Sequence, residues 1–158
     1  MTTKNGLKLM GLIVLFLFIG SLLGLMTKAN INPWYDNLTK SALTPPNWVF
    51  SVVWSILYVL LAYVAYKLWL SYQTNKKLIG VIFLFAIQLI MNWLWTPFFF
   101  QLHWMGFSFI WLMVMIIINA ILIYQLKNQQ KLLALLLSIY SVWLLFASYL
   151  NGFIWFFN

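Results

Sequence analysis

The sequence predicts an all-α integral membrane protein, a bundle of five transmembrane helices, and three observations carry that prediction. Only 6% of the chain is charged, against 65% hydrophobic and 20% aromatic, too little to cover the surface of a soluble domain. Five long apolar runs recur along the chain, each sufficient to cross the hydrocarbon core of a bilayer. The lysines fall between these runs or at their ends.

Lys4 and Lys8 precede the first run, about residues 9–26, which spans about 27 Å as a helix. Thr27-Lys28-Ala29 loosely resembles a signal-peptide cleavage site, but the apolar core is longer than such a segment needs, so the helix is expected to be retained. Gly20 and Gly24 form a small-xxx-small pair that permits close helix approach. The second span covers about 47–70, with Lys67 near its end and able to snorkel. The third covers about 78–98, with Pro97 near its exit. The very short connection Gln101 to His103 requires the third and fourth helices to form an antiparallel hairpin. The fourth span is 104–126 and the fifth 132–157, joined by the polar turn Lys127 to Lys131. All 158 residues are thus assigned to one membrane domain.

The exception to this greasy pattern is the loop 27–46, which holds the only acidic residue, Asp36, and the Thr44-Pro45-Pro46-Asn47 step. Each proline fixes φ and pushes the residue before it out of the helical region, so an extended turn is expected there. With Trp34 and Tyr35 it reads either as an interfacial loop with an aromatic anchor or as a lid over a pocket whose wall is the next helix. Lys4, Lys8, Lys67, Lys76, Lys77, Lys127 and Lys131 share one side of the membrane, and Lys28 and Lys40 the other. That imbalance places the N-terminus in the cytoplasm and the loop outside, for a multi-pass protein of the cell membrane.

Several function classes are disfavoured by what is missing. The net charge is +8, but the lysines are dispersed between membrane spans, which suits anionic headgroups rather than nucleic acid. There is no cysteine, no glutamate and no arginine, and one histidine. Paired-carboxylate catalysis and a protein metal site therefore cannot be assembled. No charge lies in the middle of a span, which argues against ion-coupled transport. An odd helix count argues against a simple inverted repeat. His103, in a short loop at the membrane edge, is expected to hydrogen-bond at the interface.

Aromatic rings and amides remain. Asn47, Phe50, Trp54 and Tyr58 share one face of the second helix by helical spacing. Gln88, Asn92, Trp95 and Phe99 do so in the third, and Tyr140, Trp143, Ala147 and Asn151 in the fifth. Amides are costly to point at lipid, so these faces turn inward. Such stripes either pack against one another or line an apolar pocket with a few polar groups.

Trp34-Tyr35-x-x-Leu38, Lys40-x-x-x-Thr44-Pro45-Pro46-x-x-x-Phe50 and Trp54-x-x-x-Tyr58 resemble the opening half of the tryptophan-rich sensory protein and translocator protein (peripheral-type benzodiazepine receptor) family, TspO/MBR. The resemblance continues in Asn92-x-x-Trp95-x-Pro97-x-Phe99-Phe100 and Trp143-x-x-x-Ala147-x-x-x-Asn151, and covers about residues 9 to 158. It implies a five-helix bundle, commonly a homodimer, that receives porphyrins and isoquinoline or benzodiazepine-type drugs under the first loop. No cofactor is required; porphyrin is a ligand. The pocket residues it implies are Tyr35, Pro45, Trp54, Asn92, Trp95, Trp143 and Ala147. Light-dependent porphyrin breakdown in the family corresponds to Trp54 and Trp143, and facilitated transport is a further alternative. This chain departs from the family pattern at Ser41 and Leu43, where a proline and an aromatic are usual, and it has no acidic residue in the fourth helix. No lysine follows Tyr140, so the mammalian sterol motif is incomplete.

Overall fold

The computed structural model describes residues 3–158, and side chains from Asn5 onward; the side chain of Lys4, counted in the charge imbalance, lies outside the described residues. Five long helices follow one another: α1 (Thr3–Ala29), α2 (Asn47–Thr74), α3 (Ile79–Thr96), α4 (Met105–Leu126) and α5 (Lys131–Phe157). Each holds a segment long and apolar enough to cross a membrane. The all-α membrane bundle expected from the sequence is the architecture observed.

α1 and α2 overrun their apolar windows, whereas α3 and α4 fall just inside theirs, because hydropathy and backbone geometry end at different places. α1 begins before Lys8 and α2 continues through Ser71 to Thr74. Lysine is a good helix former and keeps its ammonium in the headgroups by snorkelling, so nothing stops the helix at the end of the apolar run. Pro97 does not end α3 abruptly. It takes helical angles, and the chain widens into a π-helical turn, Pro97–Gln101, closed by the Leu102 amide donating to the Pro97 carbonyl at 3.0 Å. Proline has no N–H to give and its ring crowds the preceding turn, and a wider turn relieves both.

Connections pair at the two ends of the bundle. At one end the 30–46 loop meets the α3–α4 turn, where Trp34 stacks on His103 at 3.9 Å, and the end of α5, where Asn158 bonds to Thr39. At the other end Gln130 donates to the Ser71 hydroxyl at 2.8 Å, tying the α4–α5 turn to the end of α2. Lys67, Lys76, Lys77, Lys127 and Lys131 therefore cluster at this second end, while Lys28 and Lys40 lie at the loop end.

The core runs between α2, α3, α4 and α5, with Leu61, Met115, Leu122, Leu137 and Leu144 fully enclosed. α4 and α5 make the most extensive contact. Asn119 on α4 donates to the Leu137 carbonyl at 2.9 Å and the Ser141 hydroxyl at 2.6 Å, and Asn151 on α5 donates to the Met105 carbonyl at 2.8 Å. Gly152 and Gly106 leave room for the rings of Phe109 and Trp155 along the same seam. α1 is peripheral. Among its described residues only Phe16 is buried, with its ring edge-on to Trp93 at 5.8 Å.

The glycine pair of α1 divides. A Cβ at Gly20 would strike the ring of Tyr58, which is itself buried, whereas a Cβ at Gly24 would meet nothing within 4 Å. Gly20 is thus a packing residue inside the chain. Gly20→Ala is expected to lower thermal stability in detergent by about 1–3 kcal/mol through overpacking. Gly24→Ala should leave the melting temperature unchanged or raise it, because alanine favours the helix. Equal effects of the two would refute the assigned contact.

Candidate functional site

Between the loop-end halves of α1, α2, α3 and α5 lies a cavity of about 710 Å³. The faces that the spacing of aromatic residues singled out form much of its wall. Asn47, Phe50, Trp54 and Tyr58 line it from α2, Asn92 and Trp95 from α3, Phe99 from the π-helical turn, and Trp143, Ala147 and Asn151 from α5. The Trp54 and Trp143 rings stand perpendicular, 6.5 Å apart, and Phe50 meets Trp143 edge-on at 5.9 Å. Trp95 lies flat on Phe99 at 5.3 Å and 11°. Its indole N–H donates to Asn151 at 3.2 Å, so that ring is held from both its face and its edge.

Beneath Asn92 is a closed polar cluster. Gln88 Nε2 and Asn92 Nδ2 each donate to the Tyr140 hydroxyl, both at 2.7 Å, and all three residues are buried. Gln88 and Tyr140 do not border the cavity; they orient the residue that does. Gln88 Oε1, Asn92 Oδ1 and the Trp143 indole nitrogen have no protein partner. Asn92 and Trp143 border the cavity, but their unpaired amide oxygen and indole N–H are themselves enclosed, an arrangement that is costly at this depth.

The roof comes from the loop. The chain turns through Ile31–Tyr35, and Tyr35 is buried against Phe99 and Phe100, with ring centroids 6.5 and 5.6 Å away. Burial first, and the negative charge of Asp36 second, push the Tyr35 phenol above its ordinary range, so it remains a neutral hydroxyl. Lys40 wraps back over this turn, donating to the Tyr35 and Asp36 carbonyls at 2.7 and 2.9 Å. Two further ties fasten the loop to α5. The Thr39 amide donates to Asn158 Oδ1 at 2.8 Å while Asn158 Nδ2 returns a bond to the Thr39 carbonyl at 3.2 Å, and Ser41 and Tyr149 share a hydroxyl bond of 2.8 Å. Ser41 is thereby an anchoring residue of the loop. His103 adopts φ 56°, a left-handed conformation that presents its ring to Trp34.

Tyr35, Trp54, Asn92, Trp95, Trp143 and Ala147 therefore converge on one cavity, and Pro45 does not border it. Pro45 lies in the extended approach to α2, outside the roof that Tyr35 forms. Sequence reasoning passed over the α1 wall, where Gly20, Ser21, Gly24, Thr27 and Lys28 line the cavity. Apart from the glycine spacing, nothing in that uniformly apolar helix marks one face. Exposed residues of α1 and α2, including Ser21, Leu25, Trp48 and Ser51, also belong to the lining, so the cavity opens between these two helices. Lys28 at the mouth is the one charged residue of the wall.

Tyr140→Phe removes the hydroxyl on which two buried amides depend while keeping the ring. It should destabilise the bundle by about 1–3 kcal/mol. Tyr149→Phe removes one bond from a more exposed hydroxyl and should cost about 1 kcal/mol or less. Thermal unfolding of both variants in the same detergent measures the difference, and a Tyr140→Phe protein as stable as the parent would sink the assigned network.

Related proteins are recognisable from the sequence. The profile of the TspO/MBR family matches residues 12–156. A tryptophan-rich protein TspO of Archaeoglobus fulgidus is 34% identical over 154 residues, 98% of this chain and 99% of that one. The translocator protein of Homo sapiens is 34% identical over 124 residues, 77% of this chain and 73% of that one. Protein CrtK of Rhodobacter capsulatus is 44% identical over 71 residues, 44% of each chain. With five membrane-spanning helices and the family profile along nearly its whole length, this chain belongs to the TspO/MBR family.

Proposed function

We propose that this chain is a membrane receptor for porphyrins, such as protoporphyrin or haem-like rings, and for isoquinoline or benzodiazepine-type ligands. The observation that carries the reading is the 710 Å³ cavity walled by indole and phenyl rings, within the roughly 300–1,000 Å³ of small-molecule pockets. Flat apolar rings gain most from such walls, because stacking adds to the burial of surface. The sparse polar groups match the periphery of these ligands. With a turn of its ring the Trp143 indole N–H donates to a carbonyl or carboxylate of the ligand, Asn92 orients a polar substituent, and Lys28 at the mouth attracts an anionic one such as a porphyrin carboxylate. The protein acts in the cell membrane as a homodimer, with its N-terminus in the cytoplasm.

Titration of protoporphyrin and one isoquinoline carboxamide by tryptophan quenching tests the reading. Trp143→Phe should weaken both by about 1 kcal/mol or more. Lys28→Gln should weaken protoporphyrin but not its dimethyl ester, and Asn92→Leu should change the ratio of the two ligand affinities. Unchanged binding in all three variants would overturn it.

The perpendicular Trp54–Trp143 pair favours a second reading, light-dependent porphyrin breakdown. Porphyrin absorption bands that fade in light and air only with protein present, and only while both Trp54 and Trp143 remain, would establish the enzyme. Stable bands with saturable quenching would leave the receptor. A reporter fused after Asn158 should be exposed on the outer face; a cytoplasmic reporter would reverse the orientation drawn from the lysines.

A further inference from the structure

At the opposite end of the bundle, away from the ligand cavity, α2 and α3 part around a second hollow of about 190 Å³. Ala65 and Trp69 form one side, and Ile82, Phe85, Ala86 and Leu89 the other. Every lining residue is apolar, so water would find none of the two to four polar partners it needs there. Ala86 and Trp69 are exposed, which opens the hollow to the membrane side of the bundle. A hydrocarbon chain is the material at hand to fill it.

An aromatic and cationic path leads from this groove to the headgroup level. The Trp69 ring lies 6.2 Å from Tyr72, and Lys76 Nζ sits 4.0 Å over the Tyr72 ring. Lys76 and Lys77 are exposed in the short turn between the two helices. Ile82, at the near end of the groove, is roughly 9 Å further along the chain axis at the helical rise. The headgroup region is roughly 5–8 Å thick on each side of the hydrocarbon core, so a lipid phosphate level with the lysines would place its acyl chain in the groove. The chain's single acidic residue is Asp36, in the loop at the other end, so no carboxylate of this chain neutralises these lysines.

We infer that the α2–α3 groove and the Lys76–Lys77 turn form a binding site for one anionic phospholipid. Its phosphate is held by the two ammonium groups and one acyl chain lies between Trp69 and Ala86. The site is separate from the aromatic cavity and does not depend on what that cavity binds.

The experiment uses the full chain in phosphatidylcholine vesicles doped with phosphatidylglycerol or phosphatidylcholine carrying brominated acyl chains. Trp69 quenching is isolated as the difference between the parent and Trp69→Phe. Brominated phosphatidylglycerol should quench Trp69 at a lower mole fraction than brominated phosphatidylcholine, with a preference of about five-fold for each lysine engaged. The preference should disappear in K76Q/K77Q, and Ala86→Phe, which fills the groove from an exposed position, should abolish the close quenching by both lipids. Equal quenching of Trp69 by the two lipids would overturn the proposal, as would a preference that survives K76Q/K77Q. So would efficient Ala86→Cys cross-linking between two copies regardless of lipid, which would make the groove a protein interface.

Discussion

A side-chain amide at the depth of the hydrocarbon core has no water to turn to, and the rest of this bundle is arranged around that constraint. Gln88 and Asn92 lie one turn apart on α3 and both reach the Tyr140 hydroxyl of α5 at 2.7 Å. Pairing their NH2 groups fixes which face of α3 meets α5, and hence where Trp95, Asn151 and Trp143 point. Asn119 and Asn151 do the same for α4 against α5, each through a bond to a backbone carbonyl as well as through packing. Between helices in lipid there is little hydrophobic drive for one angular setting over another, because lipid tails are as apolar as the helix faces. Four amides and a phenol supply the setting.

That framework leaves the interior of the loop-end half hollow and closes the interior of the other half, where the second hollow is a groove on the outer side of α2 and α3. Where Asn92, Tyr140 and Gln88 meet, the bundle closes, and Leu61, Leu122, Leu126 and Leu137 fill the space with no exposure. Above that level the helices are held apart by rings set on edge, and the loop bridges the gap. Its hold on α5 comes from hydrogen bonds of Thr39, Ser41, Tyr149 and Asn158, whereas its hold on the α3–α4 turn is aromatic, through Trp34, Tyr35, Phe99, Phe100 and His103. The bonds between Thr39 and Asn158 are exposed, whereas Tyr35, Phe99 and Phe100 are buried.

The parts legible in the sequence were those with a local physical signature. Span number followed from apolar length, and the inward faces of α2, α3 and α5 followed from amides and rings at helical spacing. The α1 wall was not legible, because a helix that is apolar all round gives no periodicity with which to choose a face. Pro45 was expected at the pocket from a family resemblance. Its place outside the lining depends on how the chain crosses from Tyr35 to α2, a path set by the long-range partners Tyr149 and Asn158. The π-helical turn after Pro97 was equally hidden, since a proline near a helix end is compatible with a stop or a widened turn. The stacking of His103 on Trp34 joins residues far apart in the chain and has no local signal at all.

The closure of the bundle interior below the cavity also bears on what the cavity can do with a ligand. A facilitated carrier of a porphyrin-sized ring must offer a route across the whole membrane. Here such a route would pass through the Gln88–Tyr140–Asn92 cluster and the fully enclosed leucines below it. Opening it would strand two amides in a layer without water and unpack the contact of α5 with its neighbours. Each unsatisfied polar group costs about 1–3 kcal/mol, before any loss of packing. Binding or photochemistry would ask for none of this: a ligand could reach the rings from the gap between α1 and α2 and leave the same way. The same hydrogen bonds that set the cavity wall thus favour a site with one open side over a passage with two.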